Sequence, residues 1–394
     1  MSGVTKHIYE HEIIDICKMW NTQLKSIAEL LPLNYSKDDV IALLKKYYPH
    51  EWDSVQFTYE YYQEKDRYLI KRRGKARYRM CKPEKLLDQS TIFQRIMSNG
   101  FKKHHEKEFS DSQRVEAENK LSKKRNPKIG KVNKKIRSSL IKTQQVTPDF
   151  IDQLIGLYER KATKQKDKVY ILNELKKYYS PRIIKFFWKL NDTELNKQLR
   201  WTAFYHLQSF NYQPRARRQK YMQIHTKNKK RKEYLKNVYP NEKFTIPETP
   251  QELEYRIQNA KEQQIKTYDY FISHSSKDYE SVQKLIVNEN RKNKNVFCDW
   301  INDVDYLKRE LLCEATLRVI ELRLEQSKAV LFVSSENSIS SIWCKYELNY
   351  FHDLKKPIFI IKKEDIENNH FNIKLMKECW YLDPRYKEKI VIKQ

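Results

Sequence analysis

Glu347 stands four residues after Trp343 and three before Tyr350, in the run Trp343-Cys344-Lys345-Tyr346-Glu347. On a helix these three residues make one stripe, beside a face of Cys344, Leu348 and Phe351 that packs inward. A carboxylate between two aromatics at the margin of a core is partly desolvated, and its proton affinity shifts. That suits it to acid–base or electrostatic work. From the helix pattern alone, the plainer reading is a Glu at a helix edge paired to a nearby Lys. A second constellation lies at Tyr268–Asp278, YDYFISHSSKD. A short apolar run ends there in Ser273, His274, Ser275 and Ser276, followed by Asp278. Capping of the next helix explains one or two of these residues, but not His274 as well.

The elements that must hold these residues follow from the period of the sequence. TYDYFIS (267–273), NVFCDW (295–300), KAVLFVS (328–334) and KPIFIIK (356–362) are short runs rich in Val, Ile, Phe and Tyr. CWYLD (379–383) is a candidate fifth. Helical patterns separate them, the longest being YLKRELLCEATLRVIELRLEQS from about Leu307. Strands alternating with helices predict a parallel sheet covered on both faces. Ligands in such sheets bind where loops leave the carboxyl ends of strands. The hydroxyl cluster after the first strand sits at such an end.

Composition excludes several alternatives. The chain has 394 residues and a formal net charge of +27. Residues 267–394 carry 21 Lys/Arg and 20 Asp/Glu, so almost all the excess lies in residues 1–266. Five glycines are too scattered for a P-loop or a G-x-G-x-x-G fingerprint. Six dispersed cysteines form no C-x-x-C pair, and no H-E-x-x-H spacing occurs among the histidines. Free thiols in a reducing cytoplasm and no metal site are the expectation. There is neither a secretory h-region nor an apolar run of membrane-spanning length.

Residues 1–266 read as mainly α-helical and basic. Ser36, Thr147-Pro148, Ser180-Pro181 and Thr249-Pro250 are helix-opening signals. Ile183, Phe186, Phe187 and Leu190 repeat at helical spacing. The expected organisation is a helical region at 1–118, a basic linker at 119–146 and a second helical region at 147–238. A hinge at 239–266 then leads to the final domain at 267–394. The basic runs at Asn119–Thr143 and Pro214–Lys236 fit either a solvated or protein-contact surface, or a site for nucleic acid or another polyanion.

Four stretches, in order, resemble a TIR (Toll/interleukin-1 receptor) domain of the prokaryotic type. They are YDYFISHSSKD, VFCDWINDVDYLKRE, SKAVLFVSSENSISSIWCKYEL and KKPIFII, within residues 267–394. The resemblance implies a flavodoxin-like α/β fold. It implies NAD⁺ glycohydrolase activity, with NAD⁺ as substrate rather than cofactor and Glu347 of the W-x-x-x-E pattern as the catalytic carboxylate. Trp300 and Trp343 would wall the ribose and nicotinamide, and Ser273, His274 and Ser275 would line the crevice. The loop Ile301–Tyr306 matches the family's assembly loop, a gate completed by a neighbouring domain. Asp303 there would touch ribose hydroxyls or cap the long helix, a role that suits Asp305 better. Glu310 and Glu314 read as a solvated stripe. The implied role is a cytoplasmic anti-phage effector that self-associates and makes linear or cyclic ADP-ribose. Two alternatives stand beside it: a non-catalytic TIR scaffold, and a nucleic-acid-binding protein that oligomerises through its TIR domain.

Overall fold

The computed structural model describes residues 4–216, 222, 224–308 and 312–391. These divide into two compact units, Met1–Arg137 with Gln208–Gln213, and Ser138–Leu207 with Pro214–Gln394.

The first unit is helical. Its framework is α1 (Val4–Ile27), α2 (Lys37–Tyr47), α3 (Pro49–Arg73) and α4 (Asp111–Ile141), with short helices between α3 and α4. Ser36 opens α2 with a capping box closed by Asp39. Trp20, Leu24, Leu44, Tyr47 and Leu87 fill the core. The stretch expected as a basic linker is instead most of α4, which runs through Pro127. Lys, Arg and Ile are good or adequate helix formers. Ala117 and Leu121 pack on the core at its start, and polar contacts anchor the next turn. Arg125 donates to the Tyr47 carbonyl at 2.8 Å and to Glu51 at 2.6 Å, and its guanidinium lies 4.1 Å from the Tyr48 ring centre. Lys46 pairs with Glu118.

The second unit begins with α5 (Phe150–Glu159), α6 (Gln165–Leu175), α7 (Pro181–Thr193) and α8 (Lys197–Ser209). Ser180 caps α7, whose Ile183, Phe186, Phe187 and Leu190 are all buried as their spacing predicts. A basic helix, Lys229–Asn237, buries no residue. Arg217 and Arg218 of the same basic run lie outside the described residues. The segment expected as a hinge is packed. Asn196 donates to the carbonyls of Tyr239 and Glu242, Gln198 donates to that of Phe244, and α9 (Pro250–Asn259) buries Leu253 and Ile257. Side-chain amides satisfy a proline-rich backbone here that has no ladder of its own.

The remainder is the expected α/β domain. In chain order it comprises β1 (Tyr268–Ser273), α10 (Tyr279–Arg291), β2 (Val296–Phe297), α11 (Glu314–Glu325), β3 (Ser327–Ser334), α12 (Ile342–Asp353), β4 (Ile358–Lys362) and β5 (Lys374–Leu375). The sheet order is β2-β1-β3-β4-β5, parallel throughout except for β5. This is the flavodoxin-like order, with its switch point between β1 and β3. Tyr268, Phe297, Val330, Phe332 and Leu348 pack on one side of the sheet, and Ile272, Val282, Leu285, Leu331 and Val333 on the other. Three elements differ from expectation. The fifth strand is Lys374–Leu375, not 379–383. β2 is two residues long, because Asp299–Asn302 already turn as a helix. The long helix starts at Glu314 with Cys313 as its N-cap, so Asp305 does not cap it. Glu310 lies outside the described residues.

Helices from the preceding segment complete this domain. The Gln144 side chain lies along the β2 edge, donating to the Val296 carbonyl at 2.5 Å and accepting from its N–H at 3.0 Å. Asn290 donates to the same amide. The boundary expected at residue 266 therefore falls inside a packed unit.

Candidate active site

The carboxyl ends of β1 and β2 and the first turns of α12 converge on Glu347. Ser341 caps α12, accepting from the Cys344 N–H. Cys344, Leu348 and Phe351 on the inward face are fully buried, which fixes the helix against the sheet. Glu347 on the adjacent stripe is half-buried, and its Oε2 is enclosed without a hydrogen-bond partner. Burial pushes its carboxyl from the ordinary 4.5 up to about 8. The Ser273 hydroxyl beside it opposes this shift, and the charge of Asp299 adds to it. Ser273 Oγ, at the end of β1, is likewise buried and unpartnered. Neither atom meets full hydrogen-bond geometry, yet the hydroxyl is close enough to lower the proton affinity of the carboxyl; a loosely paired hydroxyl and carboxyl, both buried, can turn to something polar that binds.

His274 follows directly. Its Nδ1 is 3.0 Å from the Ile272 carbonyl, so Nδ1 carries the proton. The bare Nε2 then accepts from Trp300 Nε1 at 3.2 Å. The Trp300 ring lies 4.6 Å from that of Tyr279. Asp278 ties the strand ends together, accepting from Ser335 Oγ at 2.5 Å and Asn337 Nδ2 at 3.1 Å, with Lys363 Nζ at 3.2 Å. These partners hold its carboxyl below the usual range despite the opposing effect of burial. The loops after β1, β3 and β4 are thus cross-linked through one carboxylate.

The structure brings Ser273, His274, Trp300 and Glu347 to one end of the sheet. Ser275 serves as a local cap, accepting from the Lys277 N–H at 3.4 Å. Trp343 is half-buried against two apolar clusters, one built on Cys344 and Leu348 and the other on Leu317 and Tyr346. Asp303 does not join the crevice. Its side chain is wholly buried, with Oδ2 2.7 Å from Arg323 Nε and Oδ1 3.0 Å from Nη2. Lys177, just past the end of α6, stands 3.7 Å away. Arg323 also donates to Gln263, which donates to Glu174. Glu174 in turn takes Lys266 at 2.6 Å and Lys177 at 2.8 Å. Although burial favours their neutral forms, the surrounding cations hold Glu174 well below the normal carboxylate range and Asp303 below it. An Asp needs a facing cation to be buried in this way, and sequence spacing does not reveal that Arg323 faces it. Cys298 and Asp299 also lie beside the site and were not singled out by the sequence. The only available signal was their position at a strand end.

A model of the TIR-like domain of Thoeris protein ThsB matches residues 271–368. The chain is 35% identical over 373 residues to "Putative cyclic ADP-D-ribose synthase TIR2" of Cytobacillus dafuensis, covering 95% of each. Over 96 residues it is 33% identical to "Probable 3' cyclic ADP-D-ribose synthase ThsB'" of Bacillus cereus (strain MSX-D12), covering 24% of this chain and 49% of that protein. Toll-like receptor 2 of Bos indicus is 33% identical over 85 residues, 22% of this chain and 10% of the receptor. No solved structure gives a significant match.

Proposed function

The chain belongs to the prokaryotic TIR-domain proteins, in the family of the TIR2 protein that it matches end to end, and from that premise we propose that it cleaves the nicotinamide–ribose bond of NAD⁺. The observation that carries this reading is the enclosed, unpartnered carboxylate of Glu347 beside the orphaned hydroxyl of Ser273 at the switch point of the sheet. Ordinary glycosidases need two carboxyl groups because the leaving oxygen must be protonated. Nicotinamide in NAD⁺ is already cationic and leaves neutral, so one carboxylate is enough. Its work is to stabilise the oxocarbenium-like ribose as positive charge moves from the pyridine nitrogen to the sugar.

Burial favours the protonated form of Glu347 in the free protein. The approaching NAD⁺ supplies the cation that makes ionisation favourable, so substrate and carboxylate charge are coupled. Trp300, held by His274, forms a flat wall for a ring or sugar face. The relatives from Cytobacillus dafuensis and Bacillus cereus are both named as cyclic ADP-D-ribose synthases, one "Putative" and one "Probable". Accordingly, the reading assigns capture of the ribosyl cation to a nucleophile within the same ADP-ribose in preference to water. A nucleotide signal in antiviral defence is the role that follows, with the TIR domains working as self-associated copies.

Purified protein with NAD⁺, analysed by chromatography for nicotinamide and for linear and cyclic ADP-ribose, tests the reading. Nicotinamide release that disappears in Glu347→Gln supports it. Absence of release across protein concentrations favours a scaffold. Linear ADP-ribose as sole product would overturn the cyclisation.

A further inference from the structure

We propose that His274, Cys298 and Asp299 form a binding site for Zn²⁺ at the edge of the crevice, and that the bound ion opposes NAD⁺ cleavage. The inhibitory half rests on the function proposed above; the binding half does not.

One ligand atom from each residue, Nε2, Sγ and a carboxylate oxygen, lies within 4.8 Å of the other two. Asp299 Oδ1 is 3.9 Å from both His274 Nε2 and Cys298 Sγ. Ligands on a tetrahedral zinc, at bonds of about 2.0–2.3 Å, stand roughly 3.5 Å apart. Small side-chain rotations close the difference. A nitrogen, a sulfur and one carboxylate suit zinc and not magnesium or calcium, which prefer oxygen.

The supporting contacts are already those of a metal ligand. The Nδ1–H of His274 is fixed on the Ile272 carbonyl, which leaves Nε2 as the bare nitrogen and aims it. Metal-bound histidines almost always have such a second contact. Its present partner, Trp300 Nε1–H, is a neutral donor that an incoming cation displaces. Cys298 is fully buried at the end of β2, while the Asp299 side chain is 56% exposed, so the ion has a path from solvent. Binding converts the Cys298 thiol to a thiolate and releases one proton to water. Three protein ligands leave a fourth position open. The thiolate and the carboxylate balance the two charges of the ion, so its effect on cleavage is positional: releasing Trp300 removes a wall of the crevice.

The test uses full-length, metal-stripped protein and Co²⁺, then Zn²⁺, as probes. One equivalent of Co²⁺ is expected to give tetrahedral visible bands and a near-ultraviolet thiolate-to-cobalt band, all removed by Zn²⁺. Zn²⁺ is expected to suppress nicotinamide release over the same range. Cys298→Ser should lose the thiolate band and require at least tenfold more Zn²⁺ for inhibition, with metal-free release retained. If that variant does not fold, Asp299→Asn should weaken cobalt binding by a comparable factor. No cobalt band in the wild type, or an unchanged band and Zn²⁺ response in the variants, overturns the site. Cobalt binding that depends on Cys298 in a protein that never cleaves NAD⁺ keeps the site and removes the enzymatic reading.

Discussion

Glu347→Gln should inactivate the protein and, above neutral pH, make it more stable. The carboxyl is raised from 4.5 to about 8 by burial, with Ser273 opposing and Asp299 adding. A raised native pKa means that the folded state holds the proton more tightly than the unfolded chain. Between pH 4.5 and 8 the native state therefore binds more protons, and stability falls as pH rises through that window. At about 1.36 kcal/mol per pKa unit, the wild type loses roughly 4–5 kcal/mol at most by pH 9. A glutamine has nothing to ionise, and its other differences from Glu are nearly independent of pH. Paired thermal or urea unfolding of wild type and variant at pH 5, 7 and 9 isolates the effect, because every other titrating group is shared. The gap should open in favour of the variant by several kcal/mol between pH 5 and pH 9. Activity is expected to move the other way. Loss of the developing charge interaction lowers the rate on the order of 10²–10³-fold. In the wild type, kcat/KM for nicotinamide release should climb with pH toward a limb near 8, the free-protein carboxyl. The kcat limb should lie lower, since bound NAD⁺ favours the carboxylate. Stability curves that stay parallel across the whole pH range would refute the burial argument.

Arg323→Met removes the guanidinium that pairs with Asp303 and Gln263 and leaves the buried carboxylate only the more distant Lys177 at 3.7 Å; a loss of about 3 kcal/mol is expected on denaturant unfolding. Gln144→Ala strips the β2 edge of both its hydrogen bonds and should lower stability by about 2–4 kcal/mol, with hydrogen exchange at Val296 accelerating most. A 267–394 fragment lacks Gln144, Glu174, Lys177 and Lys266, so it should be insoluble or molten, whereas a 138–394 fragment folds; near-ultraviolet circular dichroism on both separates these outcomes.

The α/β half was legible because its signals are local and repeated. Apolar runs of strand length alternate with helical stripes, and the loop residues at Ser273–Ser275 sit where a parallel sheet places its ligands. Glu347 was legible because a helix sets its face by spacing alone. Asp303 was not, because its fate depends on Arg323, twenty residues away, and on Lys177 and Glu174 from the helical segment. The basic stretch at 119–143 looked like a linker for a related reason: Arg125 anchors it through a carbonyl, a carboxylate and a ring face, none of which shows as hydrophobic periodicity. The Pro-rich stretch at 239–250 looked mobile because the Asn196 and Gln198 amides that hold it lie more than forty residues upstream.

The single Gln144 side chain along β2 limits how copies of this protein can join. An open β-edge is a template on which another chain adds a strand, and repeated addition builds a fibre. Here one end of the sheet is a two-residue strand whose Val296 N–H and C=O both face an amide of the same molecule. The other end is a two-residue antiparallel strand, too short to seed a continuous ladder. Under the proposed self-association, contact between copies would run through helix and loop faces, where charge and shape select the neighbour and dissociation stays possible. Contacts of that kind come apart readily, which a shared β-ladder resists. Replacing one glutamine would expose the strand and open a route to irreversible polymerisation.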